Sequence, residues 1–218
     1  MPSTRCQKIN AHHYRHIWVV GDIHGEYQLL QSRLHQLSFF PKIDLLISVG
    51  DNIDRGPESL DVLRLLNQPW FTSVKGNHEA MALEAFETGD GNMWLASGGD
   101  WFFDLNDSEQ QEAIDLLLKF HHLPHIIEIT NDNIKYAIAH ADYPGSEYLF
   151  GKEIAESELL WPVDRVQKSL NGELQQINGA DYFIFGHMMF DNIQTFANQI
   201  YIDTGSPNSG RLSFYKIK

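Results

Sequence analysis

Short apolar runs, each closed by a glycine turn and followed by an amphipathic stretch, organise the first third of the chain. Ile17-Trp18-Val19-Val20 leads into Gly21-Asp22-Ile23-His24-Gly25 and then into a segment with Leu29, Leu30, Leu34 and Leu37 at helical spacing. Leu45-Leu46-Ile47-Ser48-Val49 leads into Gly50-Asp51 and a second helix carrying Leu60, Val62, Leu63, Leu65 and Leu66, and Trp70 to Val74 leads into Gly76-Asn77-His78. Such continuous apolar runs are strands covered on both faces, which predicts an α/β fold with a parallel or mixed sheet between helices. Residues 79–120 read as mostly helical, broken at Gly98-Gly99 and clearest over Glu109 to Lys119; this is the pattern of a cap or lateral insertion. Shorter strands follow, at Ile126 to Ile129, Ile134 to Ala139, Tyr182 to Phe185, Ile193 to Phe196, Ile200 to Ile202 and Leu212 to Ile217. The polar, His-rich residues 1–16 read as a surface arm ahead of one domain over 17–218. A metal site on His12, His13 and His16 would need a carboxylate partner that the arm does not supply.

Charge and cysteine usage narrow the picture. A net charge of -13 opposes nucleic-acid binding, which draws on a surplus of Lys and Arg, whereas negative charge gathered in turns with His and Asn suits cations. Cys6 is the only cysteine, so no intrachain disulfide can form, and the expected compartment is the reducing cytoplasm. No segment approaches the ~20 apolar residues of a membrane span or the shape of a signal peptide.

The candidate chemistry sits where strands end, which is where open α/β sheets bind ligands. Asp22 and His24, Asp51, Asn77 and His78, His140, and His187 each follow a separate apolar strand. Singly, each has an ordinary explanation: a turn, a helix cap or a hydrogen-bonded rim residue. Together they form an ordered set of carboxylate, amide and imidazole donors that chance turns do not supply. Carboxylate with imidazole suits Mn, Fe or Zn, and six residues suffice for two ions if one carboxylate bridges them. Two ions ~3.5–4 Å apart can clamp the attacking and leaving oxygens of an in-line displacement, the chemistry of phosphoester hydrolysis.

At this point the blocks Gly21-Asp22-Ile23-His24-Gly25, Gly50-Asp51-Asn52-Ile53-Asp54-Arg55-Gly56-Pro57 and Lys75-Gly76-Asn77-His78-Glu79 resemble the signatures of the phosphoprotein phosphatase family of metallophosphoesterases. His140-Ala141-Asp142-Tyr143-Pro144, Phe185-Gly186-His187 and Tyr201-Ile202-Asp203-Thr204-Gly205 further resemble the phage lambda type of serine/threonine phosphatase and its bacterial relatives. The resemblance runs from Ile17 to the C-terminus. It implies a four-layer αββα sandwich with mixed sheets, and an enzyme acting on a phosphorylated protein or peptide. Its cofactors would be two divalent ions, Mn²⁺ foremost with Fe or Zn as options. One ion would be held by Asp22, His24 and Asp51, the other by Asp51, Asn77, His140 and His187, and a metal-bridging hydroxide would attack phosphorus directly. His78 would be the general acid, oriented by Asp54, and Arg55 would fork onto phosphate oxygens.

The chain departs from the pattern in several places. Val163 stands where lambda-type relatives carry a second phosphate-binding Arg, which makes Arg165 the candidate substitute. Met188 replaces a Thr, Lys75 an Arg, and Ser206-Pro207-Asn208-Ser209 is more polar than usual, leaving every expected ligand in place. Two other readings compete. One is a symmetrical dinucleoside tetraphosphatase, which typically has Ala in place of Asp54. The other is a non-catalytic metal-binding module, against which the complete ligand set and the His78/Asp54 pair speak. Phosphotyrosine could be a further substrate, and no motif sets the oligomeric state.

Overall fold

Strand formation follows the apolar runs, and the period of two within them decides which layer each side chain joins. In a computed structural model, which describes residues 4–218, β2 (Ile17–Val20), β3 (Leu45–Ser48) and β4 (Phe71–Ser73) run parallel. Strand β10 (Phe214–Lys216) completes this sheet antiparallel to β2, giving the order β10-β2-β3-β4. A second, six-stranded mixed sheet has the order β1-β5-β6-β7-β9-β8, with β1 at Cys6–Asn10, β5 at Ile126–Asn131, β6 at Ile134–Ile138, β7 at Tyr182–Phe185, β8 at Gln194–Phe196 and β9 at Gln199–Tyr201.

Alternate residues of β2 and β3 point in opposite directions. Ile17, Val19, Leu45 and Ile47 meet Ile127, Ile129, Ile138, Ile184 and Ile200 in a core between the two sheets. Val20 and Leu46 face the other way, onto Leu30 and Leu34 of α1 (Tyr27–Gln36) and Val62 of α2 (Ser59–Arg64). On the far side of the six-stranded sheet, Ala137, Phe183, Phe185 and Tyr201 pack on Tyr143, Leu159, Leu160 and Val166. These include residues of α6 (Ser157–Leu160) and α7 (Asp164–Leu170). The result is helices, sheet, sheet, helices. Each buried Ile or Leu contributes about 1.5–3 kcal/mol relative to leaving it exposed.

The middle of the chain is helical as the pattern predicts. Helix α3 (Asn77–Thr88) starts directly after β4, with Glu79 accepting from the Gly76 N–H, and ends at Gly89 in the left-handed region. It is followed by α4 (Asn92–Ala96), a 3₁₀ turn over Gly99–Asp104, and α5 (Asp107–Leu117). A reciprocal cap between Asn106 and Glu109 starts α5. These elements have their own core, in which Met81, Trp94, Trp101, Phe102, Leu116 and Phe120 surround Ile53. Among the described residues no helix is long and apolar enough to cross a membrane.

One expectation is corrected. The segment expected to be a surface arm contributes β1, paired parallel and in register with β5 from Cys6↔Ile126 to Asn10↔Thr130; Met1 to Ser3 of that arm lie outside the described residues. An edge strand with exposed Gln7 and Lys8 has no apolar run to betray it, because the open edge of β5 supplies its hydrogen bonds. His12 and His13 are exposed in a 3₁₀ turn after it, and His16 sits 3.6 Å from Asp44.

The segment ahead of β1 is tied to the loop ahead of α3 through a partly buried relay. The Arg5 N–H donates to His125 Nδ1 (3.0 Å), His125 Nε2 donates to Glu156 (2.7 Å), and Lys75 Nζ donates to the same carboxylate (3.2 Å). The His125 hydrogen bond, followed by the charge of Lys75, draws the Glu156 carboxyl down to about 2 from an ordinary 4.5 against the opposing effect of burial. A depressed carboxylate stabilises the fold fully above its unfolded value, and that stability is lost as pH falls from about 4.5 towards 2. Glu156→Gln is therefore expected to lower unfolding free energy at pH 7 by about 1–2 kcal/mol, a figure discounted for partial solvent screening. In urea titrations its deficit should shrink between pH 4.5 and 2; a deficit independent of pH would contradict the relay.

Candidate metal centre

The carboxyl ends of strands from both sheets converge on one rim. Asp22 and His24 follow β2, Asp51 follows β3, Asn77 and His78 follow β4, His140 follows β6, and His187 follows β7. Close backbone approach requires glycine at two points. A Cβ on Gly76 would strike Asp51 Oδ1, and one on Gly186 would strike Asp22 Oδ1. Five residues of the rim, His24, Asp51, Asp54, Arg55 and His187, hold positive φ between 46° and 74° without being glycine. Each such conformation costs about 1–3 kcal/mol and persists only where the surroundings enforce it.

Glu79 does much of that enforcing. Fully buried, it accepts from the N–H groups of Asp51 (2.8 Å), Asn52 (2.7 Å) and Gly76 (2.8 Å) and from the Asn52 side chain (3.0 Å). The turn after β3 is thereby fastened to the start of α3. No local sequence pattern assigns Glu79 this role.

The side chains turn lone pairs toward shared points. His24 Nδ1 donates to the Ile53 carbonyl (2.9 Å) and His140 Nδ1 to the Val49 carbonyl (2.8 Å), which leaves each Nε2 facing the centre. Asn77 Oδ1 lies 2.8 Å from His140 Nε2 and 3.0 Å from His187 Nδ1, and Asp51 Oδ1 lies 3.4 Å from His140 Nε2. Two groups have ligand atoms within 4.8 Å of one another: His24, Asp51 and His78, and Asp51, His140 and His187. Asp51 belongs to both, as a bridging carboxylate must. Asp22 is in neither triad; its carboxylate faces the His187 N–H (3.0 Å).

The electrostatics fit divalent cations. Burial, and then the charge of Asp203, pushes the Asp22 carboxyl well above the ordinary range; burial, and then Asp51, also raises Glu79. Burial brings His24 down to about 3 and His187 to about 4. Burial also opposes charge on His140, but Asp51 outweighs it and drives this imidazole up to about 10. The carboxylate that favours positive charge on this imidazole would equally favour a metal ion. Arg55, exposed at the mouth, likewise donates to His24 Nε2 (2.9 Å) and His78 Nε2 (3.0 Å). Crowded acceptors short of positive charge are what a cation site requires.

A second constellation adjoins the first. His78 Nδ1 donates to Asp54 Oδ2 (2.7 Å), and the Asp54 carboxylate also accepts from the indoles of Trp94 and Trp101. Neither tryptophan carries a local signal of this role, because each reaches Asp54 from an element more than thirty residues further along the chain.

Arg165 is not brought to the centre. Its Nε donates to Asp142 (2.8 Å), and its Nη2 donates to the carbonyls of Tyr143 (2.9 Å) and Gly145 (2.7 Å). The expectation that it replaces the Arg absent at Val163 gives way to a buried role tying α7 to the turn after His140. What stands beside His187 from this part of the chain is Trp161, half exposed, with ring centres 6.4 Å apart.

Residues 15–190 match the family model described as calcineurin-like phosphoesterase. The chain belongs to that family. It is a phosphoesterase, hence a hydrolase, and divalent metal ions are the cofactors that this family and the ligand groups imply. It is 60% identical over 218 residues, the whole of both chains, to serine/threonine-protein phosphatase 2 of Salmonella typhimurium (strain LT2). It is 43% identical over 217 residues to serine/threonine-protein phosphatase 1 of the same organism, covering 100% of this chain and 99% of that one. Among solved structures, a candidate diadenosine tetraphosphatase shares the fold with a TM-score of 0.73 at 23% identity, covering 98% of this chain and 94% of that one.

Within this calcineurin-like phosphoesterase, Asp51→Asn is expected to weaken Mn²⁺ binding by more than about 100-fold, beyond the cost of losing a group that only orients a ligand. Titration calorimetry on chelator-treated protein, with thermal unfolding as a control for folding, measures it. An unchanged affinity would remove Asp51 from the centre.

Proposed function

We propose that the protein is a serine/threonine protein phosphatase hydrolysing phosphomonoesters with two divalent ions, Mn²⁺ foremost. Asp22, His24 and Asp51 would hold one ion, and Asp51, Asn77, His140 and His187 the other. The observation that carries this reading is the buried Asp54–His78 pair, whose imidazole Nε2 opens onto the ligand groups 3.9 Å from Asp51 Oδ2. Full-length similarity to two bacterial enzymes named as serine/threonine-protein phosphatases supports it.

Bound ions would supply Lewis acidity and a nucleophile from water near neutral pH. The protein's own groups do the rest. Arg55 exchanges the two imidazole lone pairs it now bonds for two phosphoryl oxygens, a planar fork that matches phosphate geometry. Its departure frees His78 Nε2 to carry a proton. Asp54 holds Nδ1–H, fixes the ring and supports the imidazolium, and Nε2–H is delivered to the serine or threonine alkoxide as it leaves. The cleft reads phosphate more than its leaving group, so phosphotyrosine is accepted too.

On a phosphoserine peptide with Mn²⁺, His78→Asn is expected to lose about 10²–10⁴ in kcat, and chelation should abolish activity that added metal restores. Rates on phosphoserine, phosphothreonine and phosphotyrosine peptides and on diadenosine tetraphosphate, compared side by side, decide the substrate class. Faster cleavage of the dinucleotide, or full activity after metal removal, would overturn the reading.

A further inference from the structure

We infer that Trp94 and Trp101, from the helical insertion, are positioning residues that hold the Asp54 carboxylate in the orientation that fixes His78. The use made of the His78 proton rests on the phosphatase reading; the clasp itself does not. Asp54 is fully buried, and its neighbour Arg55 directs its guanidinium to His24 and His78 instead. A carboxylate so desolvated stays ionised only when its lone pairs are engaged. Oδ1 accepts from Trp101 Nε1 (2.8 Å) and Trp94 Nε1 (3.0 Å), while Oδ2 accepts from His78 Nδ1 (2.7 Å) and again from Trp94 (3.1 Å). The carboxylate therefore cannot rotate away from His78 without breaking an indole hydrogen bond.

The chemistry of the donors matters. An indole N–H donates only and carries no charge, so it satisfies Asp54 without contributing a positive charge that would oppose the imidazolium. A guanidinium or ammonium in its place would oppose protonation of His78. Packing alone does not call for this arrangement, since ring carbons fill space equally well; Trp18 Nε1 is buried in this same protein with no partner among the described residues. The insertion is also built to bring the rings in. A Cβ on Gly99 would lie 2.5 Å from the Trp94 ring, the two indoles meet edge to face at 6.3 Å, and the Arg55 N–H donates to the Gly98 carbonyl (3.1 Å). The helical segment thus grips the Asp54–Arg55 turn through its backbone and through both indoles.

The test uses Trp94→Phe, Trp101→Phe and the double variant, with benzothienylalanine at position 101 as a replacement that keeps the shape and loses only the N–H. Each single change is expected to lower kcat on a phosphoserine peptide about tenfold, the equivalent of one hydrogen bond to a charged group. KM and the half-saturating Mn²⁺ concentration should stay put. With 2,4-dinitrophenyl phosphate, whose leaving group needs no proton, kcat should barely move. Equal losses on both substrates, or no loss on either, would overturn the inference. The His78 Nδ1–H proton resonance, assigned by its absence from His78→Asn, gives a readout that does not depend on turnover. It should shift and exchange faster with water in the double variant, and an unchanged resonance would also overturn the inference. If the parent cleaves no phosphopeptide, the phosphatase reading fails while the resonance still decides the role of the two indoles.

Discussion

Asp51 has to remain ionised where water cannot reach it, and much of the centre is arranged around that requirement. Burial works against its charge, yet His140, His78 and His24 together hold its carboxyl well below the ordinary range. Those imidazoles come from three different strand ends, so ionising one side chain commits both sheets to a fixed mutual position. The His140 hydrogen bond to the Val49 carbonyl carries that commitment across the interface between the sheets, directly above the apolar core they share. The turn that presents Asp51 is strained at its own φ, and Glu79 keeps it so by accepting its backbone N–H groups.

The same logic explains why an acidic chain can concentrate carboxylates without unfolding. Asp22, Asp51, Asp203 and Glu79 raise one another's cost of ionisation, and backbone N–H groups, imidazoles and Arg55 offset it. Divalent cations would relieve that repulsion at its source, linking metal binding to the stability of the rim. Arg55 supplies part of that positive charge through its hydrogen bonds to His24 and His78. The arginine stands at the solvent boundary.

The helical insertion is the element whose importance is least apparent from its position. It packs beside the sandwich with a core of its own, yet that core closes over Ile53 and delivers two indoles to Asp54. A lateral addition has become one wall of the reaction centre. By contrast Arg165, close in sequence to a position expected to bind phosphate, is drawn away by Asp142 and two carbonyls.

By itself the sequence determined the strand ends and the polar residues that close them. An apolar strand and the polar residue that closes it are adjacent in the chain, so local geometry puts Asp22, His24, Asp51, Asn77, His140 and His187 each at a strand end, and the packing of the two sheets then gathers those ends on one rim. The pairing of His78 with Asp54 was expected from the family resemblance alone, and the fold brings the two side chains to 2.7 Å. Tertiary structure alone decided the rest. The edge strand Cys6–Asn10 is held by another strand's hydrogen bonds rather than by its own apolar pattern. Trp94 and Trp101 reach Asp54, and Arg165 reaches Asp142, only after distant segments have packed. The periodicity of a chain reports which face of an element is buried; which polar partner waits there depends on what the rest of the chain brings to it.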